Sequence, residues 1–163
     1  MAVFEVRRDS ALSASQAWAR LTDWRRHGDF IPFTDVLVSR SPDATASSPG
    51  TGVGAVFVAR TSLGPLHFDD PMEVTYWRPP GDGPGVCRLV KTGRVVHGWA
   101  VLTVTATTGG CSVSWTEDAA VRYTGALLGW PTKVAAGFVF GRLVDKLLET
   151  PARQPDAVPP GPS

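Results

Sequence analysis

Two carboxylates break strand-like rows of apolar residues, and they are the side chains in this chain best suited to chemistry. In residues 66–77 the even positions are Leu66, Phe68, Asp70, Met72, Val74 and Tyr76, an apolar row with one charge. In residues 111–117 the odd positions are Cys111, Val113, Trp115 and Glu117, again an apolar row with one carboxylate, at its end. Successive strand side chains point to opposite faces, so each row faces one way and sets its carboxylate among buried neighbours. Burial disfavours the charged form of a carboxyl group, which suits it to moving protons. Asp70 and Glu117 are therefore the candidate catalytic residues. Each also has a structural alternative. Asp70 precedes Pro71, and a bulge there would turn it to solvent. Glu117 lies near a strand end, where exposed charge is ordinary.

The same rows nominate a binding surface of Phe68, Met72, Val74, Tyr76 and Trp115, with Phe138 and Arg142 added from a helical stretch near the C-terminus. Aromatic residues give such a surface flat apolar area with an occasional polar handle. Tyr76 would donate a hydrogen bond. Arg142 would hold a carboxylate or phenolate, or else lie exposed on its helix. In residues 94–105 two registers stay open. One puts Gly98 and Ala100 inward and His97 and Trp99 outward; the other makes His97 a base inside a cavity. His27, His67 and His97 are far apart and lack metal-ligand spacing, so neither a metal nor another cofactor is expected. The GTGVG run at 50–54 looks superficially like a phosphate loop, but it lacks the Lys-Ser/Thr ending and precedes a strand. It reads as a flexible hairpin loop at a cavity mouth.

These residues must be positioned by a single domain. The chain has 163 residues, with 43% hydrophobic and 19% charged, a globular and not a disordered profile. A formal net charge of +1 leaves no strongly basic face, so no nucleic-acid partner is expected. Two cysteines cannot make a disulfide framework. Neither a leader segment nor a stretch long enough for stable membrane insertion is visible, so the expected location is cytoplasmic. A monomer or homodimer is expected.

The elements follow from local signals. A strand at 3–9 leads to a helix begun by the Ser13/Gln16 capping box. A second short helical piece, 24–30, ends before Pro32. Strands follow at 36–40, 53–62, 66–77, 86–92, 94–107 and 111–120, joined by turn-rich links, so antiparallel pairing is expected. Residues 125–131 read as a loop and 132–149 as a helix capped by Thr132. Residues 1–150 thus form the domain, and the proline-rich 151–163 read as a disordered tail. The fold class is α+β. A curved antiparallel sheet of six to seven strands wraps a long C-terminal helix, with two short helices after the first strand.

That order, with its local runs, resembles the START/polyketide-cyclase-like superfamily, also called SRPBCC or helix-grip. The runs are SASQAWARLTDW (13–24), IPFTDV (31–36), GTGVGAVF (50–57), FDDPMEVTYWRPP (68–80), VKTGRVVHGWAVLTV (90–104), SVSWTED (112–118) and KVAAGFVFGRLVDKLL (133–148). The resemblance covers about residues 1–150. It implies a cavity between sheet and helix for a hydrophobic small molecule, polyketide-, lipid- or quinone-like. The family includes lipid carriers, hormone receptors, aromatases and cyclases, with no universal catalytic triad, so it implies a fold more firmly than a reaction. The leading expectation is a binder. The alternative is a polyketide cyclase or aromatase that moves protons with the cavity carboxylates, and a partner-binding module is a third class.

Overall fold

The structure, a computed structural model, describes residues 3–38, 50–94, 96–121 and 129–150. The element order is β1 (Val3–Ser10), α1 (Ala14–Leu21), α2 (Arg25–Phe30), β2 (Thr34–Val38), β3 (Val56–Leu63), β4 (Leu66–Arg78), β5 (Gly85–Thr92), β6 (Val96–Thr107), β7 (Gly110–Val121) and α3 (Gly129–Glu149). All strands pair antiparallel in one seven-stranded sheet of order β1-β7-β6-β5-β4-β3-β2. The α+β expectation holds, with seven strands. No helix among the described residues is long and apolar enough to cross a membrane.

The capping box forms as its residues require. Ser13 Oγ accepts from the Gln16 amide at 3.2 Å, and Gln16 Oε1 accepts from the Ser13 amide at 3.1 Å. Ala14, Ala17, Trp18 and Leu21 are the buried face of α1, the spacing of one helical stripe. Trp18 packs edge-on against Trp77 with ring centroids 5.0 Å apart. α2 stops at Ile31, whose extended backbone obeys the restriction Pro32 imposes. Gly28 lets α2 lie against β2, because a Cβ there would stand 2.9 Å from the Thr34 carbonyl oxygen and 3.1 Å from the Val36 nitrogen.

α3 lies over the sheet with Leu143, Val144, Leu147 and Leu148 buried. Full burial of each such side chain contributes about 1.5–3 kcal/mol. Polar ties fix its C-terminal end. Arg8 on β1 makes an ion pair with Asp145 at 2.6 Å, Arg20 on α1 donates to the Leu148 carbonyl, and Arg26 on α2 donates to the Thr150 carbonyl at 3.4 Å. Cations at this end also face the negative pole of the helix dipole.

Several local expectations need correction. α3 begins at Gly129, so Thr132 is inside the helix and does not cap it. Pro131 falls in the first turn, where its missing N–H breaks no helical bond. The last three residues of the expected 125–131 loop are therefore helical. The alternative at Asp70–Pro71, a bulge, does not form, since both residues pair in register with Ala59 and Val58. The register shifts instead between Val74 and Tyr76, on the β5 side. Gly50, Gly52 and Gly54 have φ of 89°, 91° and 83°, the left-handed region that glycine tolerates. Their segment is tied down: the Gly50 carbonyl accepts from Trp24 Nε1 at 2.8 Å and the Gly54 amide donates to Val74 at 2.8 Å. The tail expected at 151–163, and 41–49 of the loop before Gly50, lie outside the described residues.

Candidate functional site

A cavity of about 190 Å³ lies between the inner sheet face, α2 and α3. Strand alternation builds its floor. β4 contributes Phe68, Asp70 and Met72, β5 contributes Leu89 and Lys91, and β7 contributes Trp115 and Glu117. Between β5 and β7, the β6 strand offers Ala100 on the same face. A residue this small leaves space above the sheet, and long side chains from both flanks fill part of it. Phe57, Ala59 and Thr61 of β3 and Thr34 and Val36 of β2 form one wall. Trp24, His27 and Ile31 form another, and Phe140 of α3 closes the top.

Three charged side chains meet at the floor. Lys91 Nζ stands 2.6 Å from Asp70 Oδ2 and 3.1 Å from Glu117 Oε1. All three residues are buried: Asp70 is 8% exposed, Lys91 6% and Glu117 3%. Burial pulls the Lys91 ammonium pKa down, but the charges of Glu117 and Asp70 and their hydrogen bonds outweigh it, and the net shift is upward. Glu117 is satisfied on its other oxygen by Trp115 Nε1 at 3.2 Å. Asp70 Oδ1 is different: it is buried and has no hydrogen-bond partner among the described residues. An unmet buried acceptor costs about 1–3 kcal/mol, more when charged, and such an atom is retained where something else meets it.

His27 is the second polar feature. Its Nε2 lies 2.9 Å from the Leu21 carbonyl oxygen. A carbonyl only accepts, so Nε2 carries the hydrogen and Nδ1 keeps a lone pair in the neutral ring. Burial pushes the imidazole pKa down to about 4, against the pull of the Leu21 carbonyl and with the help of the nearby Arg26 charge. The ring is wedged between Trp24 and Trp115, at centroid distances of 5.3 and 5.8 Å. Trp24 itself stacks on Phe57 at 4.6 Å with planes 8° apart.

The structure brings together Asp70, Glu117, Phe68, Met72 and Trp115 on one cavity lining. It does not bring the other candidates there. Val74 is fully buried in the core and does not line the cavity. Tyr76 is 41% exposed on the outer face, with the Arg88 guanidinium 5.8 Å from its ring centroid. The register shift after Val74 ends the even-numbered inward row, and Trp77 turns in instead. Phe138 is 66% exposed, and Phe140, two residues on, takes the inward place against Phe4 and Trp115. Arg142 is exposed and does not line the cavity. In β6 the first register is the observed one, with Ala100 buried and His97 and Trp99 exposed. The Gly50–Gly54 run is likewise absent from the lining.

Sequence reasoning missed Lys91 and His27. Lys91 carried a usable signal, since it shares the odd-numbered row of β5 with Cys87 and Leu89. His27 carried none, because a six-residue helix is too short to show a buried face by period.

No family model and no curated protein matches the sequence. Solved structures do match in shape. The Zhui aromatase/cyclase from Streptomyces sp. R1128 superposes with a TM-score of 0.62 at 15% identity, over 90% of this chain and 93% of that one. Human STARD10 superposes with a TM-score of 0.66 at 13% identity, over 90% of this chain and 62% of the other. Ara h 8.0201 superposes with a TM-score of 0.59 at 10% identity, over 91% and 98%. Identities this low carry the fold alone, and the chain has the helix-grip fold.

Proposed function

We propose that this helix-grip chain binds a hydrophobic small molecule of polyketide-, lipid- or quinone-like character in the cavity between sheet and α3. The observation that carries the reading is the lining itself. Apolar and aromatic side chains from six strands and both adjoining helices surround a space of about 190 Å³ with a small polar cluster at its floor. That is the composition of a ligand pocket, in which apolar walls supply affinity and a few polar groups set orientation. An apolar cavity of about 150 Å³ holds a benzene ring, so one or two fused rings suit this one. The named neighbours, an aromatase/cyclase among them, agree with the reading.

Trp24 and Trp115 line the space and report on its occupancy. Titration with a polycyclic aromatic, a naphthoquinone and a fatty acid is expected to quench tryptophan emission saturably for at least one. Ala59→Trp fills the space from β3 and is expected to abolish that binding while the protein stays folded. Failure of all three ligands to bind saturably would sink the proposal.

A second reading, a cyclase- or aromatase-type enzyme, is favoured by one observation. Asp70 Oδ1 and the neutral His27 are proton acceptors in the same cavity. In that reading Asp70 takes a proton from the bound substrate, Glu117 and Lys91 hold Asp70 in place, and the aromatic walls fold the chain and exclude water. Asp70→Asn and Glu117→Gln keep shape and remove charge. Turnover of a polyketide-like substrate is expected to fall by about 100-fold or more in Asp70→Asn, with ligand affinity changing far less. Full activity in both variants would exclude carboxylate catalysis.

A further inference from the structure

The cavity's polar groups are unequally matched: one buried acceptor is unmet while most of the donors are already used. Both lining indole N–H groups are spent, Trp24 on the Gly50 carbonyl at 2.8 Å and Trp115 on Glu117 at 3.2 Å. The His27 N–H is spent on Leu21 at 2.9 Å. The Thr34 and Thr61 hydroxyls bond each other at 2.9 Å, and Thr34 also reaches the Pro32 carbonyl at 3.2 Å. The Lys91 ammonium already serves both carboxylates. What stays unmet among the described residues is Asp70 Oδ1, buried and without a partner.

Charge narrows the ligand further. A ligand carboxylate would enter beside two carboxyl groups whose one ammonium is already shared between them. A ligand ammonium on Asp70 Oδ1 would sit across the same carboxyl group from Lys91 Nζ, which is 2.6 Å from Oδ2. Taking a second ammonium out of water into this buried site costs far more than burying a neutral hydroxyl. A neutral hydroxyl avoids both penalties and supplies a hydrogen to the one buried oxygen that lacks one. We infer that the ligand is a neutral apolar ring system bearing a hydroxyl, and that this hydroxyl donates to Asp70 Oδ1. The inference rests on the cavity binding a hydrophobic molecule at all, and it deepens that reading by naming the head group.

The test uses four probes of one size class in calorimetric titration of the full chain at pH 7: 2-naphthol, 2-methylnaphthalene, 2-naphthoate and 2-naphthylmethylamine. Hydroxyl and methyl are nearly isosteric, and the methyl compound is the more hydrophobic, so binding by shape and apolar area alone would favour it. The expected result is the reverse, with 2-naphthol tighter by about 10-fold or more, the scale of a hydrogen bond to a charged acceptor. The carboxylate and the amine are expected to bind more weakly than 2-naphthol. In Asp70→Ala the ratio of naphthol to methylnaphthalene affinity is expected to collapse towards one, and continued binding of methylnaphthalene shows that the variant folds. Should that variant not fold, the wild-type ratio alone decides. Binding of 2-methylnaphthalene as tight as or tighter than 2-naphthol overturns the inference and leaves the binding proposal standing. So does a preference for the carboxylate or the amine. Binding of none of the four overturns both.

Discussion

Protonating His27 places a charge in a space that has no counter-charge bonded to the ring, and the cost is calculable. The imidazole pKa is pushed from its ordinary 6.5 to about 4 in the folded protein. The residue is 7% exposed, so little solvent screening discounts the shift. Two aromatic rings and the Leu21 carbonyl surround it, and the charged neighbour that acts on it, Arg26, has the same sign as the imidazolium. Because the folded pKa is the lower one, the unfolded chain takes up the proton first. Stability is then full above about pH 6.5 and falls as pH drops towards the folded value. At 1.36 kcal/mol per unit, the loss relative to pH 7 is about 2 kcal/mol at pH 5 and about 3 kcal/mol at pH 4. Urea unfolding at pH 7, 6, 5 and 4 reads it directly, with His27→Gln as the reference chain. Glutamine keeps an N–H donor for Leu21 and does not titrate. Other acid-sensitive groups act on both chains, so the difference between the two curves isolates the imidazole. Parallel curves from pH 7 to pH 4 would refute the argument that this ring is buried and uncompensated.

Three further outcomes test other parts of the architecture. Lys91→Met removes the cation between two buried carboxyl groups and is expected to cost about 3–5 kcal/mol. Adding Asp70→Asn and Glu117→Gln should recover most of it, and a Lys91→Met loss below about 1 kcal/mol by urea unfolding would show that the trio contributes little. Gly28→Ala gains about 1 kcal/mol in helix propensity, but its methyl meets the backbone of β2 at 2.9 Å. The net is expected to be a loss of about 1–3 kcal/mol, and a rise in melting temperature would show that α2 can move away. Ser13→Ala removes the side-chain half of the capping box and is expected to cost about 1 kcal/mol, with an unchanged unfolding midpoint as the contrary result.

The fold was legible because its signals are local and mutually consistent. Valine-rich alternation separated by turn residues specified the β3–β7 meander, and Ser13 with Gln16 specified the start of α1. Asp70 and Glu117 were legible as inward carboxylates by the same alternation, and it would have yielded Lys91 had it been applied to β5. Tyr76 was misread because alternation holds only while register does, and nothing in TYWR marks the shift that follows Val74. The helix errors have another source. Stepping back by three and four residues from the buried Leu143, Val144, Leu147 and Leu148 leads to Phe140, whereas Phe138 sits on the opposite side of the turn. Asp70's unmet oxygen and the His27 tautomer depend on atoms brought together from distant segments, and no spacing rule reaches them.

The sheet order has a consequence for how the chain comes to be folded. From β2 to β7 every neighbour in the sheet is the next strand in sequence, so each pairing closes a much shorter loop than that of β1 with β7. β1 alone departs from this pattern, since Val3 stands opposite Asp118. Loop-closure entropy rises with the logarithm of the chain between the partners, so this pairing is entropically the dearest in the sheet. The strand synthesised first must therefore wait for β7, and until it docks, the edge of β7 lies open to other strands. β1 also carries Phe4 against Phe140 and Arg8 against Asp145, which makes its arrival the step that seats α3. Pulse-labelled hydrogen exchange during refolding should show β1 amides protected after those of β4 to β6, and simultaneous protection would contradict this sequence of events. The cavity floor is laid down before its roof, and the collapsing chain passes through an open-topped form in which the Asp70–Lys91–Glu117 cluster is still in contact with water.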